Sequence, residues 1–251
     1  MKLFISQLID ETDYLKIIAK ENCGLEIIDF SIAEVLDNPS DYLKKYKSPQ
    51  YQDLSLGLHG PFFDLIPATF DSLIKEVTLR RFNQVYDIAK ELNAKYLVFH
   101  TGYLKDVYHY EAWLANSITF WQDFLNDKDD SIQIYIENVF EDEYYYLKEL
   151  VKTINKPYFN ICLDLGHANI RNSYDLKEWL YELKDYIRHL HFHNNDGRAD
   201  LHQGLNNGEI NYNEILNIIA ELKIEASITL ELANAIAITD SITLLKQRRT
   251  L

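Results

Sequence analysis

The chain has 251 residues, 47% of them hydrophobic, with 25 Lys and Arg against 39 Asp and Glu for a formal charge of −14. That balance excludes a large nucleic-acid footprint, which depends on clustered cations that displace phosphate counterions; even three bound divalent ions would leave the protein acidic. Cys23 and Cys162 stand far apart without CxxC spacing, and no run approaches about 18 apolar residues, so a disulfide framework, a thiolate zinc site and a membrane span are all excluded and a cytoplasmic location is expected.

In chain order, short β-branched and aromatic runs predict strands near residues 3–8, 24–30, 54–59, 95–100, 132–138, 159–164, 188–193 and 227–232. The segments between them carry apolar residues at three- and four-residue intervals, as in Leu73, Val77, Phe82, Val85 and Ile88, or Tyr146, Leu147, Leu150, Val151 and Ile154, and read as amphipathic helices. The three tyrosines Tyr144 to Tyr146 fall on one of these helices, His109 at the start of another, and Ser241 to Leu251 form the last. Strand runs such as Tyr96-Leu97-Val98-Phe99 are almost continuously apolar, as in parallel strands covered on both faces. Alternation of this kind, in eight units over residues 1–251, predicts a single domain with a (β/α)8 TIM barrel fold. An open doubly wound sheet is the structural competitor, but neither GxGxxG nor GxxxxGK[ST] follows any strand.

In a closed barrel the C-terminal strand ends converge on one mouth, where chemistry concentrates. Here those ends read His59-Gly60-Pro61, His100-Thr101-Gly102, Glu137-Asn138, Asp164-Leu165-Gly166-His167, His193-Asn194-Asn195-Asp196 and Glu231-Leu232, with Asp200-Leu201-His202 just beyond the seventh, where extended backbone is expected to point Asp200 and His202 to the same side. Taken singly, a strand-end histidine is an ordinary hydrogen-bonded residue, and a strand-end carboxylate caps the following helix. Five histidines and four carboxylates on one face are different, because so much charge and imidazole needs a cation to hold it together. The mixed donor set suits zinc or manganese. His189 and His191 share a strand face with His193 but lie deeper, where hydrogen bonding inside the barrel is expected, and Cys162 reads as an interior filler.

With these residues in place, the sequence resembles the xylose isomerase-like TIM barrel superfamily, which joins sugar isomerases and epimerases to the endonuclease IV family. The likeness rests on His59-Gly60-Pro61-Phe62, His100-Thr101-Gly102, Ile136-Glu137-Asn138, Cys162 to His167, and the stretch His193 to Gly208. On the endonuclease IV pattern, one ion would sit on His59, His100 and a bridging Glu137, a second on Glu137, Asp164, His193 and Glu231, and a third on His167, Asp200 and His202. The epimerase pattern needs one ion on the second group only, with His167 and Arg198 contacting the sugar. The segment Gly204-Leu205-Asn206-Asn207-Gly208 departs from the usual Gly-x-Gly, and its turn is expected to survive because Asn tolerates the left-handed region.

The leading expectation is a metal-dependent isomerase or epimerase of a small sugar, sugar phosphate or related polyol. Glu137 and Glu231 would exchange the proton through an enediolate. His167 and Arg198 would orient the substrate, and Phe62 and Phe63 would form an apolar wall. The alternatives are a multinuclear phosphoesterase and a non-catalytic metal-binding barrel, distinguished from the first by the number of ions, one to three, and by activity. Neither the substrate nor the oligomeric state follows from the sequence.

Overall fold

The computed structural model describes residues 1–171 and 174–248. Parallel strands β1 (Leu3–Ser6), β2 (Gly24–Ile27), β3 (Leu56–His59), β4 (Tyr96–His100), β5 (Gln133–Glu137), β6 (Phe159–Asp164), β7 (Ile187–Phe192) and β8 (Ser227–Leu230) pair in chain order. The barrel closes where β8 returns to β1, with Ile5 opposite Leu230. All the predicted strands are present. The second is shorter than expected because the chain turns at Asp29–Ser31 into a single 3₁₀ turn.

Each strand carries two kinds of position. Leu25 and Ile27, Leu56 and Leu58, Leu97 and Phe99, Ile134 and Ile136, Leu190 and Phe192, and Ile228 and Leu230 point outward into the apolar layer beneath the helices. The residues between them point into the barrel, where Phe4, Tyr96, Val98, Tyr135 and Cys162 make a separate apolar cluster. Above and among these lie buried Glu26, His59, Glu137, Asp164, His189, His191 and Glu231. Gly57 makes this interior possible, since a Cβ there would overlap the Tyr96 ring that crosses the barrel. Cys162 is the expected filler, and burial pushes its thiol well above the ordinary range.

The outer layer comprises α1 (Glu11–Glu21), α2 (Ala33–Asp37), α3 (Ser40–Tyr46), α4 (Ser72–Glu91), α5 (Tyr110–Leu125), α6 (Tyr145–Ile154), α7 (Leu165–Arg171), α8 (Leu176–Leu183), α9 (Tyr212–Glu221) and α10 (Ala235–Gln247). Tyr144 stands at the N-cap of α6 and His109 at that of α5. The last helix begins six residues before the expected Ser241, because the Asn234 side chain accepts the N–H groups of Ile236 and Ala237 and starts it there. Residues 249–251, the predicted end of that helix, lie outside the described residues. Among the described residues no helix is long and apolar enough to cross a membrane.

Candidate functional site

Strand ends β3, β4 and β5 bring His59, His100 and Glu137 together, with both imidazole Nε2 atoms facing Glu137 Oε2 at 3.2 and 3.5 Å. At the end of β6, Asp164 Oδ1 accepts the His167 N–H at 2.7 Å and so caps the start of α7, the ordinary role of such a residue. The same oxygen lies 3.1 Å from His193 Nε2. In the loop after β7, Asp200 Oδ2 is 3.4 Å from His167 Nε2 and 3.1 Å from His202 Nε2. Glu231 follows β8, and its Oε1 is 3.4 Å from His191 Nδ1. All nine expected donors therefore reach the mouth.

Three of the histidines share a further feature. His59 Nδ1 faces the Gly60 carbonyl at 2.9 Å, His167 Nδ1 that of Asn138 at 3.0 Å, and His202 Nδ1 that of Glu231 at 2.8 Å. A carbonyl only accepts, so each Nδ1 must donate, and a neutral ring then presents a bare Nε2 lone pair. Those lone pairs point at carboxylates, an arrangement that requires a proton or a metal ion between them. Buried Asp164 Oδ2 and His193 Nδ1 also have no hydrogen-bond partner among the described residues. A divalent cation fits this donor set, since it would take up unshared lone pairs that no side chain satisfies.

Electrostatics separate the carboxylates. Burial works against the charge of Glu137, but His191, His167 and His59 hold its pKa well below the ordinary range. Burial raises the pKa of Glu231, and Glu137, Glu26 and Asp164 raise it further against the pull of His191. His100 is driven by burial down to about 3, although Glu137 pulls it upward. His202 behaves oppositely: burial lowers it, yet the bond to Asp200 and the charge of Glu231 carry it up to about 9.

Phe62 stacks on His100 with centroids 4.5 Å apart, meets His59 edge-on at 5.4 Å, and touches Phe63, which is 62% exposed. Both rings thus lie beside the first histidine pair. Arg198 is exposed, and its backbone N–H bonds Asp196 Oδ1 at 3.0 Å.

Three details differ from expectation. The four-membered central group is Glu137, Asp164, His191 and Glu231, whose ligand atoms lie within 4.8 Å of one another, while His193 is grouped with Asp164 and His167 and with Asp200 and His202. His191 reaches in because, two residues below His193 on the same face, its Nδ1 meets Glu137 Oε1 at 3.1 Å. The backbone at His202 is left-handed, φ +45°, so the loop turns His202 onto Asp200 rather than presenting both from an extended segment. In the Gly204 to Gly208 loop the turn is closed by Asn207 N–H on Gly204 O at 2.8 Å, and neither Asn206 nor Asn207 has a positive φ.

Several supporting residues are not singled out by the strand-end pattern. Glu26 Oε2 accepts from Tyr96 and Thr229 at 2.8 and 2.7 Å and lies 3.3 Å from Nε2 of both His189 and His191. Burial opposes its charge, but His191 and His189 hold its pKa well below the usual range. Asn138 bonds the Asp164 backbone in both directions, and Asn194 ties the β7 end to Leu205 and Ile210. The period-two alternation of β2 marks Glu26 as inward-facing; nothing in the sequence marks the asparagines.

The xylose isomerase-like TIM barrel family profile matches residues 21–248. An uncharacterized protein of Methanocaldococcus jannaschii, MJ1614, is 30% identical over 190 residues, covering 74% of this chain and 73% of that protein. Among solved structures, a D-tagatose 3-epimerase-like protein superposes with a TM-score of 0.80 at 25% identity over 100% of this chain and 97% of the other. The IolI protein with a bound zinc atom has the same fold, with a TM-score of 0.76 at 17% identity over 100% of this chain and 97% of its own.

Proposed function

We propose, for a chain that belongs to the xylose isomerase-like TIM barrel family, a metal-dependent isomerase or epimerase acting on a small sugar, sugar phosphate or related polyol. The observation that carries this reading is the pair Glu137 and Glu231, two buried carboxylates at one mouth whose pKa values are driven in opposite directions. Such divergence is how neighbouring carboxyls divide proton-transfer roles. The epimerase-like and zinc-bound relatives support the same choice.

Glu137, Asp164, Glu231 and His193 are the residues we assign to the ion. His193 is preferred to His191 because its Nε2 faces the Asp164 and Asp200 carboxylates at the mouth, whereas both nitrogens of His191 are engaged by buried Glu137 and Glu26. When bound, zinc or manganese would polarise a carbonyl and the adjacent hydroxyl and so acidify the intervening C–H. Glu231, the more basic carboxylate, would take the proton from carbon and pass it to solvent, while Glu137 would return to the opposite face a proton drawn from the His59 imidazolium bonded to it, giving inversion through an enediolate, with His59 reprotonated from solvent. His167 and Arg198 orient the hydroxyls, and Phe62 with Phe63 excludes water from the face beside His59 and His100.

A second reading, multinuclear phosphoester hydrolysis, is favoured by one specific observation: His59 with His100 and Glu137, and Asp200 with His193 and His202, form two further groups of ligand type. Solvent deuterium exchange separates the two. The metal-loaded protein should place deuterium on the carbon next to the carbonyl of a ketose, and Glu231→Gln should not. Hydrolysis of phosphodiesters without exchange into any sugar would replace the first reading by the second, and metal binding with neither activity would leave a non-catalytic barrel.

A further inference from the structure

We infer that the start of α4 is the contact surface of a two-fold homodimer, in which a stripe made by Phe70, Leu73, Val77 and Arg80 packs antiparallel against the same stripe of a second copy. The apolar residues of α4 fall on two faces rather than one. Phe82 stacks on Phe99 of β4 with centroids 4.1 Å apart and, with Thr78, Val85 and Ala89, is buried. Leu73 lies nine residues before Phe82, about 180° away around a helix of 3.6 residues per turn, and the step of five from Val77 to Phe82 carries the chain from one face to the other. On the outer face Phe70 is 73% exposed, Leu73 70% and Val77 49%. Lys75 apart, every residue from Phe70 to Val77 is exposed.

This outer face is already fixed in shape within one copy. The Asp71 side chain accepts the Leu73 and Ile74 N–H groups at 2.8 and 3.3 Å and starts α4 there. Lys75 Nζ reaches Asp123 of α5 at 2.7 Å. The Phe70 ring stacks on Tyr108 with centroids 6.0 Å apart, and Val107 beside it is exposed. Phe70, Leu73, Ile74, Val77 and Val107 together leave roughly 500 Å² open to solvent, near the upper end of the largest apolar patch on a typical monomer, about 300–600 Å². A standard interface buries about 800 Å² per partner, of which about 65% is non-polar in homodimers, so the apolar area it needs is about what this face offers.

Two features select a copy of this chain as the occupant. The first is charge. In a protein of net charge −14, residues 70–80 carry Asp71 and Glu76 against Lys75 and Arg80, so this segment brings no net charge to a contact between copies. The second is the order of the stripe. Positions 70, 73, 77 and 80 follow the three-and-four spacing of a helix–helix seam, with an aromatic ring at one end and an exposed guanidinium at the other. Arg81, by contrast, is held by Asp37. In a two-fold contact residue i meets j and j meets i. An antiparallel pairing centred between Leu73 and Val77 sets Leu73 on Val77 of the partner subunit and Phe70 on Arg80 of the partner subunit, a cation–π contact made twice. A parallel pairing would set Arg80 against its own copy.

Sedimentation equilibrium over about 1–100 µM protein tests this, with circular dichroism confirming that each variant is folded. The wild type should sediment as a dimer of the 29.6 kDa chain, and Leu73→Asp as a monomer with an unchanged spectrum. Phe70→Lys and Arg80→Glu should each weaken dimerisation by at least about 10-fold, the first by setting like charges together and the second by removing the cation from the ring. The double variant should regain most of that loss, because the two substitutions together rebuild an opposite-charge pair across the antiparallel contact. A wild type that stays monomeric at about 100 µM, a dimer that Leu73→Asp leaves intact, or a double variant no tighter than the single ones overturns the inference. Co-sedimentation of a monomeric wild type with phosphatidylcholine vesicles, lost in Leu73→Asp, would overturn it in favour of a membrane surface.

Discussion

His100 and His202 are both expected ligands at one mouth, yet their surroundings drive them in opposite directions, to about 3 and about 9. His100 lies under the Phe62 ring, its side chain 20% exposed, where burial makes a charged imidazole unfavourable. His202 lies at the rim against Asp200, whose side chain is 41% exposed, and holds its proton in an ion pair. His100 therefore offers a neutral imidazole, although beside it, against burial, the bond to Glu137 raises the pKa of His59, whereas the rim pair is closed on itself until a metal displaces a proton.

The largest way to break this contrast is to remove the residue that both inner groups share. Glu137→Gln should keep the fold and lower activity by at least about 100-fold, since the amide is neither a base nor a good ligand. Unchanged kcat with unchanged metal content would show that Glu137 has neither role. Next comes Gly166→Ala. A methyl there falls inside the His193 ring, so the variant should lose about 1–3 kcal/mol of stability and most of its activity together. Thermal unfolding and kinetics on the same preparation check it; wild-type values in both would mean that His193 moves at no cost.

His202→Ala is a smaller perturbation. It should abolish metal uptake at the rim and leave the inner ion bound, so metal analysis should show the loss of one equivalent at most. Loss of all metal would mean that rim and interior are not separate. The finest test is pH. Because His202 is protonated below about 9, rim affinity should weaken by up to about tenfold for each unit that pH falls from there, with a proton released on binding. His100 is already neutral above about 3, so its own titration contributes nothing over the neutral range, and any pH dependence of inner affinity comes from groups such as His59, whose pKa, against burial, the bond to Glu137 raises. Calorimetry in buffers of different ionisation enthalpy reads that proton directly; equal proton release at both positions would remove the contrast.

The fold was legible in the sequence because outward positions such as Leu97, Phe99, Ile134 and Ile136 repeat with period two and helical periodicity fills the gaps. The nine mouth residues were legible because strand ends of a barrel must converge. Glu26 and His191 were less so: whether a polar residue inside a strand meets a partner depends on register between strands far apart in sequence, as with Glu26 and Thr229. The His202 turn was misjudged for a related reason. A φ of +45° is imposed by the bond of His202 Nδ1 to the Glu231 carbonyl and by the pairing of Gln203 with Asn194, contacts that no local pattern in the sequence contains.

The most direct measurement is an anomalous difference map at the zinc edge from crystals of protein loaded with zinc. A peak within bonding distance of Glu137, Asp164, His193 and Glu231, about 2.0–2.2 Å from nitrogen and oxygen donors, is the predicted result, with any rim peak near Asp200 and His202 weaker. A map with no peak among those four residues, or with its strongest peak at the rim, would contradict the assignment of the barrel mouth as a centre organised around Glu137.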